Sequence, residues 1–340
     1  MTLCVNPECR SPHNPNTAEI CSSCGSLLLL RMRYRPIHVL GRGAFGQTLL
    51  AIDEDMPYKP YRAVKQFHFS SQHPQVLRKA IELFNQEAKR LDDLGTHPQI
   101  PTLFAHFQQE QKLYLVQEFI EGLTLEQELQ QRVYNEAHIW QLLQDLLPVL
   151  QFIHQNRVIH RDIKPQNIIR RKIDSKPVLI DFGCAKLISE TYLMQPGTLI
   201  GTRGYAPPEQ MEHGKVDYTS DLYSLGVTCV QMLTGIPTAI EMYDSANQCW
   251  RWREYLPPRT SISAELSKIL DKLLHISIRD RYQSAEEVLQ ALLLFFEKTQ
   301  PIITSPTQNG FVYWLMGEKA GRVTVNVWNW LWGMSEQPRV

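Results

Sequence analysis

Residues 160–167 (HRDIKPQN) bring an aspartate, a lysine and an asparagine close together, and Asp181 follows fourteen residues after Asn167. A carboxylate such as Asp162 can accept the proton of a hydroxyl group and fix its angle of attack. Lys164 can neutralise the charge of a group that is moving. Asn167 and Asp181 offer the oxygen ligands that Mg²⁺ prefers. Each of these residues alone suits a structural loop, but their order and spacing predict metal-assisted phosphoryl transfer to a hydroxyl.

A glycine-rich segment lies between two strand-like runs, so its backbone N–H groups can approach phosphates closely. A G-x-G-x-x-G pattern taken alone favours a simple glycine turn. The dinucleotide-binding version needs a helix after the loop, whereas here a strand follows. The residues predicted to contact nucleotide are Gly41, Arg42, Gly43, Ala44, Phe45 and Gly46.

Lys65 lies on the next strand-like run, where a fixed cation can bind nucleotide phosphates; an ordinary edge-strand lysine is the other reading. A predicted helix at about 75–94 offers Glu87 as the carboxylate that orients Lys65, with Glu82 as a weaker candidate. An exposed helical glutamate is usually a solvated charge, so the role of Glu87 depends on that of Lys65.

Hydrophobic periodicity divides the chain into two parts. Strand-like runs at 37–40, 48–52, 62–67 and 113–118 surround the single helix, and after Gly122 the period becomes helical. The helical segments are predicted at 137–155, 220–235, 263–275 and 284–297. A β-rich lobe followed by a larger helical lobe predicts an α+β fold with a cleft between the lobes.

With these motifs in order, residues 34–297 resemble a eukaryotic-type protein kinase domain with a bilobal fold. The Lys164-Pro165 pair resembles the Ser/Thr-specific branch. The resemblance implies ATP and Mg²⁺ (or Mn²⁺) as cofactors, and proteins with Ser or Thr hydroxyls as substrates. Two alternatives stay open: a nucleotide-binding pseudokinase scaffold, and a small-molecule kinase of related fold.

The resemblance also implies roles for residues outside the catalytic run. Gln117 would be the gatekeeper, and the backbone from Glu118 to Ile120 would bind adenine. Thr202 would hydrogen-bond the catalytic aspartate and lysine.

Two further positions are implied to be structural. Glu209 would pair with Arg281, and Asp221 would steady the backbone of the catalytic loop. The chain departs from the family pattern at Tyr223, where tryptophan is usual, and also in Pro207-Pro208 and Ser277-Ile278.

Arg161, before the catalytic aspartate, suits the binding of a phosphorylated residue. Thr191, Tyr192 and Thr198 are the available hydroxyls, and we expect Thr198 or Thr191 to be autophosphorylated. Ordering of this segment by packing alone is the alternative.

Four cysteines crowd the first 24 residues as Cys4-x4-Cys9 and Cys21-x2-Cys24. This spacing predicts a structural four-sulfur zinc site in a zinc-ribbon-like module at 1–30. So short a segment lacks a core of its own, so something other than burial, here the metal, is expected to fold it. Iron, a disulfide switch, or His13 as a substitute ligand are the alternatives. A Cys4 ribbon joined to a kinase domain through Arg33-Tyr34-Arg35 resembles a group of cyanobacterial Ser/Thr kinases, which suggests bacterial signalling.

Residues 298–340 are interpreted as a linker and a tryptophan-rich tail. The tail carries Trp314, Trp328, Trp330 and Trp332. It is expected to pack on the kinase or a partner; contact with a membrane interface is the less favoured reading. Docking partners for the ribbon and the tail are open.

The composition excludes several classes. Lys plus Arg and Asp plus Glu are equal at 35 each, so no net field recruits nucleic acid. The N-terminus lacks the pattern of a secretory signal, and no apolar run reaches about 18 residues. We therefore expect a cytoplasmic protein.

Overall fold

The computed structural model describes residues 1–43, 46–67, 74–110, 112–182, 204–213 and 216–299. The expectations for Ala44, Phe45, Thr202, the three activation-segment hydroxyls and residues 300–340 lie outside the described residues. The same holds for the side chain of Glu87.

A five-stranded antiparallel sheet and one helix follow the cysteine segment. The cysteine segment itself contains the short pair β1 (Thr2–Leu3) and β2 (His13–Asn14). The sheet and its helix consist of β3 (Tyr34–Gly43), β4 (Gly46–Asp53), β5 (Tyr61–Phe67), α1 (Pro74–Asp93), β6 (Leu103–Gln109) and β7 (Lys112–Glu118). The strand order in the sheet is β3-β4-β5-β7-β6.

The strand β6 was not predicted from the sequence. In the structure its burial alternates residue by residue, as in a strand with one face exposed. It lies at the edge of the sheet and pairs only with β7 among the described strands. Three of its seven residues are exposed, and it lacks the continuous apolar run that marked β7.

The remaining described residues are mainly helical. Three short strands, β8 (Gly122–Thr124), β9 (Ile168–Arg171) and β10 (Pro177–Leu179), form a sheet in the order β10-β9-β8. A further pair is formed by β11 (Tyr243–Asp244) and β12 (Cys249–Trp250). The helices are α2 (Leu125–Leu129), α3 (Glu136–Gln155), α4 (Pro208–His213), α5 (Tyr218–Thr234), α6 (Ala264–Leu273) and α7 (Ala285–Thr299).

Helix α5 is the central helix of this part. Asp217 caps its N-terminus by accepting from the backbone N–H of Thr219, and Gly235 ends it in a left-handed conformation. Residues 219–234 are all buried. A helix that is buried all round lies inside the domain, so Asp221 in its first turn is removed from water.

The cysteine segment does not fold by metal binding alone. Leu3, Val5 and Leu30 share one hydrophobic core with residues of β3, β4, β5 and β7. The prediction that burial plays no part in residues 1–30 was therefore wrong: the segment uses the outer face of the sheet as its core.

Within the described part of the chain, no helix has the length and apolar character needed to cross a membrane.

Candidate active site

The catalytic loop holds Asp162 through two neighbours from its own segment. Lys164 Nζ lies 2.9 Å from Asp162 Oδ2, and Asn167 Nδ2 donates to the same oxygen at 2.9 Å and to the Asp162 carbonyl at 2.8 Å. Since the amide nitrogen of Asn167 is used in this way, its Oδ1 atom points away from Asp162. The three predicted residues thus form one cluster.

Asp181 lies beside this cluster. The Ile180 N–H donates to the Asn167 carbonyl at 2.9 Å, which places the segment of Asp181 next to that of Asn167. Asp181 has a φ of 62°, and Arg161 a φ of 69°. Such values are uncommon for residues with a Cβ atom and cluster at functional sites.

Lys65 on β5 faces Asp181. Its Nζ atom lies 2.5 Å from Asp181 Oδ1, and the lysine is 12% exposed. The cation and the predicted metal ligand therefore meet across the junction of the sheet and the helical part. Glu87 lies on α1, as predicted, with its side chain outside the described residues.

The glycines of the loop differ in what surrounds them. A Cβ atom at Gly46 would lie 1.9 Å from the backbone oxygen of Gln66, so only glycine fits there. At Gly41 and Gly43 no described atom lies within 4 Å of a built Cβ atom. Gly46 is thus required by the sheet, whereas Gly41 and Gly43 leave open space beside the backbone. Arg42 lies between them on β3 and is exposed.

The predicted adenine-binding segment follows β7. Gln117 is buried within that strand, and the Glu118 N–H donates to the Thr102 carbonyl at 2.9 Å. Ile120 is 6% exposed. The segment is thereby fixed to the end of the sheet.

Asp221, in the first turn of helix α5, anchors the catalytic loop, as predicted. Its Oδ2 atom accepts from the His160 N–H at 2.8 Å, and Oδ1 from the Arg161 N–H at 2.8 Å. His154 Nε2 also donates to Oδ2, at 2.9 Å. Burial raises the pKa of Asp221, but the hydrogen bond and charge of His154 and the His160 N–H outweigh it and leave that pKa below its usual value.

His160 is held as the neutral Nε2–H tautomer. Its Nε2 atom donates to the Ile180 carbonyl at 2.9 Å, and Nδ1 accepts from the Asp162 N–H at 3.3 Å. Burial lowers the pKa of His160, which agrees with a neutral ring. The Phe182 ring packs on it, with centroids 4.7 Å apart.

Glu209 and Arg281 pair as predicted. Two hydrogen bonds of 2.6 and 2.9 Å join the guanidinium to the carboxylate, and Arg281 is 1% exposed. The departure at Tyr223 has a structural account: the Arg281 guanidinium lies over its ring at 4.7 Å, and Trp250 Nε1 donates to its hydroxyl at 3.1 Å. An indole from β12 thus supports the phenol that replaces the usual tryptophan.

Sequence reasoning missed two supports of the catalytic loop. His154 contacts Asp221, and the buried Gln210 donates through Nε2 to the Arg161 carbonyl at 3.2 Å. For His154 the available signal was a polar residue at an inward-facing position of a mainly apolar helix, whereas Gln210 lies on a short, mainly polar helix that gives no such signal.

The four cysteines form the second site. Cys4 Sγ lies 3.6 Å from Cys24 Sγ, Cys9 Sγ lies 3.6 Å from Cys21 Sγ, and all four sulfurs lie within 4.8 Å of one another. A disulfide has a bond of about 2.05 Å, whereas a tetrahedral zinc ion with bonds of about 2.3 Å separates its sulfurs by about 3.8 Å. The cluster therefore has the geometry of a metal site.

Neighbouring polar groups support this cluster. The buried Asn14 donates to Cys21 Sγ at 3.5 Å and accepts from the Ser22 N–H at 3.0 Å. Hydrogen bonds with Ser26 lower the pKa of Cys24 to about 6, which favours the thiolate that binds metals. Burial raises the pKa of Cys4.

A two-lobed α+β fold that brings Lys65, Asp162, Asn167 and Asp181 together at its junction has the arrangement expected of an ATP-dependent phosphotransferase. The family model described as "Protein kinase domain" matches residues 34–294. The chain therefore belongs to the protein kinase family.

Curated relatives agree. The chain is 42% identical over 302 residues to Serine/threonine-protein kinase B of Synechocystis sp., covering 86% of this chain and 52% of the relative. It is 43% identical to PknA of Nostoc sp., covering 78% of this chain and 48% of that protein. The chain spans about half the length of these curated relatives.

Solved structures share the fold. The structure titled PpkA-294 apo form has a TM-score of 0.63 at 25% identity and covers 76% of this chain and 96% of its own. A mutant PknI kinase domain from Mycobacterium tuberculosis has a TM-score of 0.58 at 21% identity, covering 77% and 94%. The predicted α+β, bilobal class is confirmed. A protein kinase domain implies ATP and Mg²⁺ as cofactors.

Proposed function

We propose that this chain transfers the γ-phosphoryl group of ATP to Ser and Thr hydroxyls of proteins in bacterial signalling. The single observation that carries the proposal is the Asp162 carboxylate, fixed within 2.9 Å of both Lys164 and Asn167. Asp162 accepts the hydroxyl proton, and Lys164 neutralises charge on the transferred group. Two cyanobacterial relatives named Ser/Thr kinases support the assignment.

The nucleotide and its metal are assigned to residues around this cluster. Asn167 and Asp181 supply Mg²⁺ ligands, Lys65 binds phosphate, and Glu87 orients Lys65. The glycine loop covers the phosphates, and the backbone of Glu118 and Ile120 binds adenine. Two points stay predictions: the hydrogen bonds of Thr202 to Asp162 and Lys164, and the autophosphorylation of Thr198 or Thr191.

Radiolabelled ATP with Mg²⁺ and a generic basic protein tests this function. Label on Ser or Thr that disappears in Asp162→Asn is the expected result. Asp174→Asn is the matched control, since Asp174 is an exposed loop aspartate that pairs with Arg171. Nucleotide binding without transfer by the unmodified protein would instead support a pseudokinase scaffold.

We assign the four-cysteine cluster to structural zinc, on the sulfur separations given above. The four thiolates complete a tetrahedron, which leaves no position for a substrate. Metal analysis of the purified protein is expected to give one zinc per chain, and Cys9→Ser is expected to lose it. Iron in that analysis, or no metal, would contradict the assignment.

The domain division proposed is a zinc-ribbon-like module at 1–30, a kinase domain at 34–297, and a linker with tail at 298–340. Partners that dock on the module or the tail belong to this proposal. Limited proteolysis is expected to cut first within 298–310, because that segment is rich in Pro, Thr and Ser.

A further inference from the structure

A row of polar side chains crosses the sheet beside the cysteine segment. Gln66 on β5 is only 3% exposed. Its Nε2 atom donates to the Tyr114 hydroxyl at 2.9 Å and to the Val5 carbonyl at 3.3 Å, and its Oε1 accepts from Gln47 Nε2 at 2.7 Å. One N–H of this buried amide is thus used by the sheet and the other by the cysteine segment.

The row lies on the face of the sheet opposite Lys65. Side chains alternate along a strand, so Gln66 and Lys65 point to opposite faces. Val64, on the same face as Gln66, belongs to the core shared with the cysteine segment. A substitution on this outer face can therefore shift β5 without removing a contact of Lys65 on the other face.

Gln66 also meets the end of the glycine loop. It is paired across the strands with Gln47, which directly follows Gly46. Its backbone oxygen occupies the space where a Cβ atom of residue 46 would be. Backbone and side chain of Gln66 thus fix the point where the loop enters β4.

Val5 directly follows Cys4, whose sulfur belongs to the cysteine cluster. The Val5 side chain is buried in the core shared with the sheet. Arg35 on β3 also joins the segment to the sheet, by donating to Thr2 Oγ1 at 3.2 Å and to the Ala18 carbonyl at 3.0 Å. Of these restraints on the position of the Val5 oxygen, only the one through Cys4 changes when a metal is removed.

We propose that Gln66 is a positioning residue that couples the four-cysteine metal site to the glycine loop. With the metal bound, Cys4 fixes the Val5 carbonyl, this carbonyl orients the Gln66 amide, and Gln66 holds Gln47 and the start of β4 in place for nucleotide. The inference rests on the proposed nucleotide site.

The test compares Gln66→Met with Gln109→Met, a matched control. Gln109 accepts from the Arg31 N–H at 2.7 Å, so its loss also removes one contact to the N-terminal segment, but on the edge strand β6, which β7 separates from β5. Gln66→Met is expected to weaken binding of a non-hydrolysable ATP analogue with Mg²⁺ about tenfold, the worth of one hydrogen bond. The KM for ATP is expected to rise by the same factor with kcat nearly unchanged. Gln109→Met is expected to match the wild type.

Metal removal supplies the second arm of the test. The cluster metal is removed with a chelator, and the protein is then dialysed into chelator-free buffer with Mg²⁺ before binding is measured. This treatment is expected to weaken nucleotide binding of the wild type by about the same factor and to add little in Gln66→Met, since the two act through one contact. Equal losses on chelation in both proteins, or a wild type indifferent to metal, refute the coupling.

Hydrogen exchange separates this inference from the proposed function. Backbone amides of 46–53 are expected to exchange faster in Gln66→Met, and in the chelated wild type, without any nucleotide present. Unchanged exchange refutes the positioning role, whether or not the protein proves to be a kinase. A wild type that binds no nucleotide, yet shows the exchange difference, overturns the proposed function and retains the coupling between cluster and loop.

Discussion

Replacing Asp221 by asparagine tests how the catalytic loop is held. The carboxylate is fully buried and accepts three hydrogen bonds, from His154 and from two backbone N–H groups of the loop. Its lowered pKa indicates that the folded protein favours the charged form. The amide retains one acceptor oxygen and turns an NH₂ group toward an N–H donor. Loss of a charge-assisted bond and of one partner for a buried donor is expected to cost about 3 kcal/mol of unfolding free energy.

Urea unfolding measures this cost, and Asp217→Asn is the control on the same helix. Asp217 is exposed and acts as an N-cap, a role that asparagine fills equally well, so about 0.5 kcal/mol or less is expected there. Phosphotransfer should also fall in Asp221→Asn, since the loop that carries the base is loosened. If both variants lose the same stability, the buried carboxylate does not hold the loop as described.

Three further outcomes are expected. Glu209→Gln should lower the unfolding free energy by about 3–5 kcal/mol, because it leaves the buried Arg281 guanidinium without its charge partner. Glu121→Gln, which removes an exposed ion pair, should lower it by about 1 kcal/mol or less. Equal urea midpoints for the two variants would contradict this difference. Gly46→Ala should lower the melting temperature and weaken nucleotide binding far more than Gly41→Ala, because only at residue 46 would the new Cβ atom lie 1.9 Å from a backbone oxygen. Thermal melts measure the first effect and binding calorimetry the second. Because burial lowers the pKa of His160 below the ordinary 6.5, the unfolded state binds this proton more tightly, so His160 makes unfolding free energy decline as pH falls below 6.5, by up to about 1.4 kcal/mol per pH unit. Burial lowers the pKa of His97 and His138 as well, so urea titrations down to about pH 5.5 compare the wild type with His160→Gln, which should show the smaller decline. Equal slopes in the two proteins would refute the assignment to His160.

The chemistry of the site was readable in the sequence because its residues lie in short contiguous motifs. Asp162, Lys164 and Asn167 fall within one loop, and local backbone geometry brings them together. The pairing of Glu209 with Arg281 and the anchoring by Asp221 followed from resemblance to a family. Their distances of 2.6 to 2.9 Å agree with those expectations.

Long-range packing was not readable in the same way. The edge strand β6 and the buried His154 give weak local signals, since each is defined by what packs against it from elsewhere in the chain. In the sequence Tyr223 is a simple departure from the family pattern, whereas in the structure Trp250, which lies 27 residues later, donates to its hydroxyl.

By itself, the sequence determined the class of catalytic site and which four cysteines form the cluster, because both depend on residue type and short spacing. Only the tertiary structure decided that the cysteine segment shares the core of the sheet and reaches Gln66 through Val5. The reason is physical: Val5 contributes a backbone carbonyl, which any residue possesses, so its hydrogen bond across 61 residues leaves no trace in the sequence.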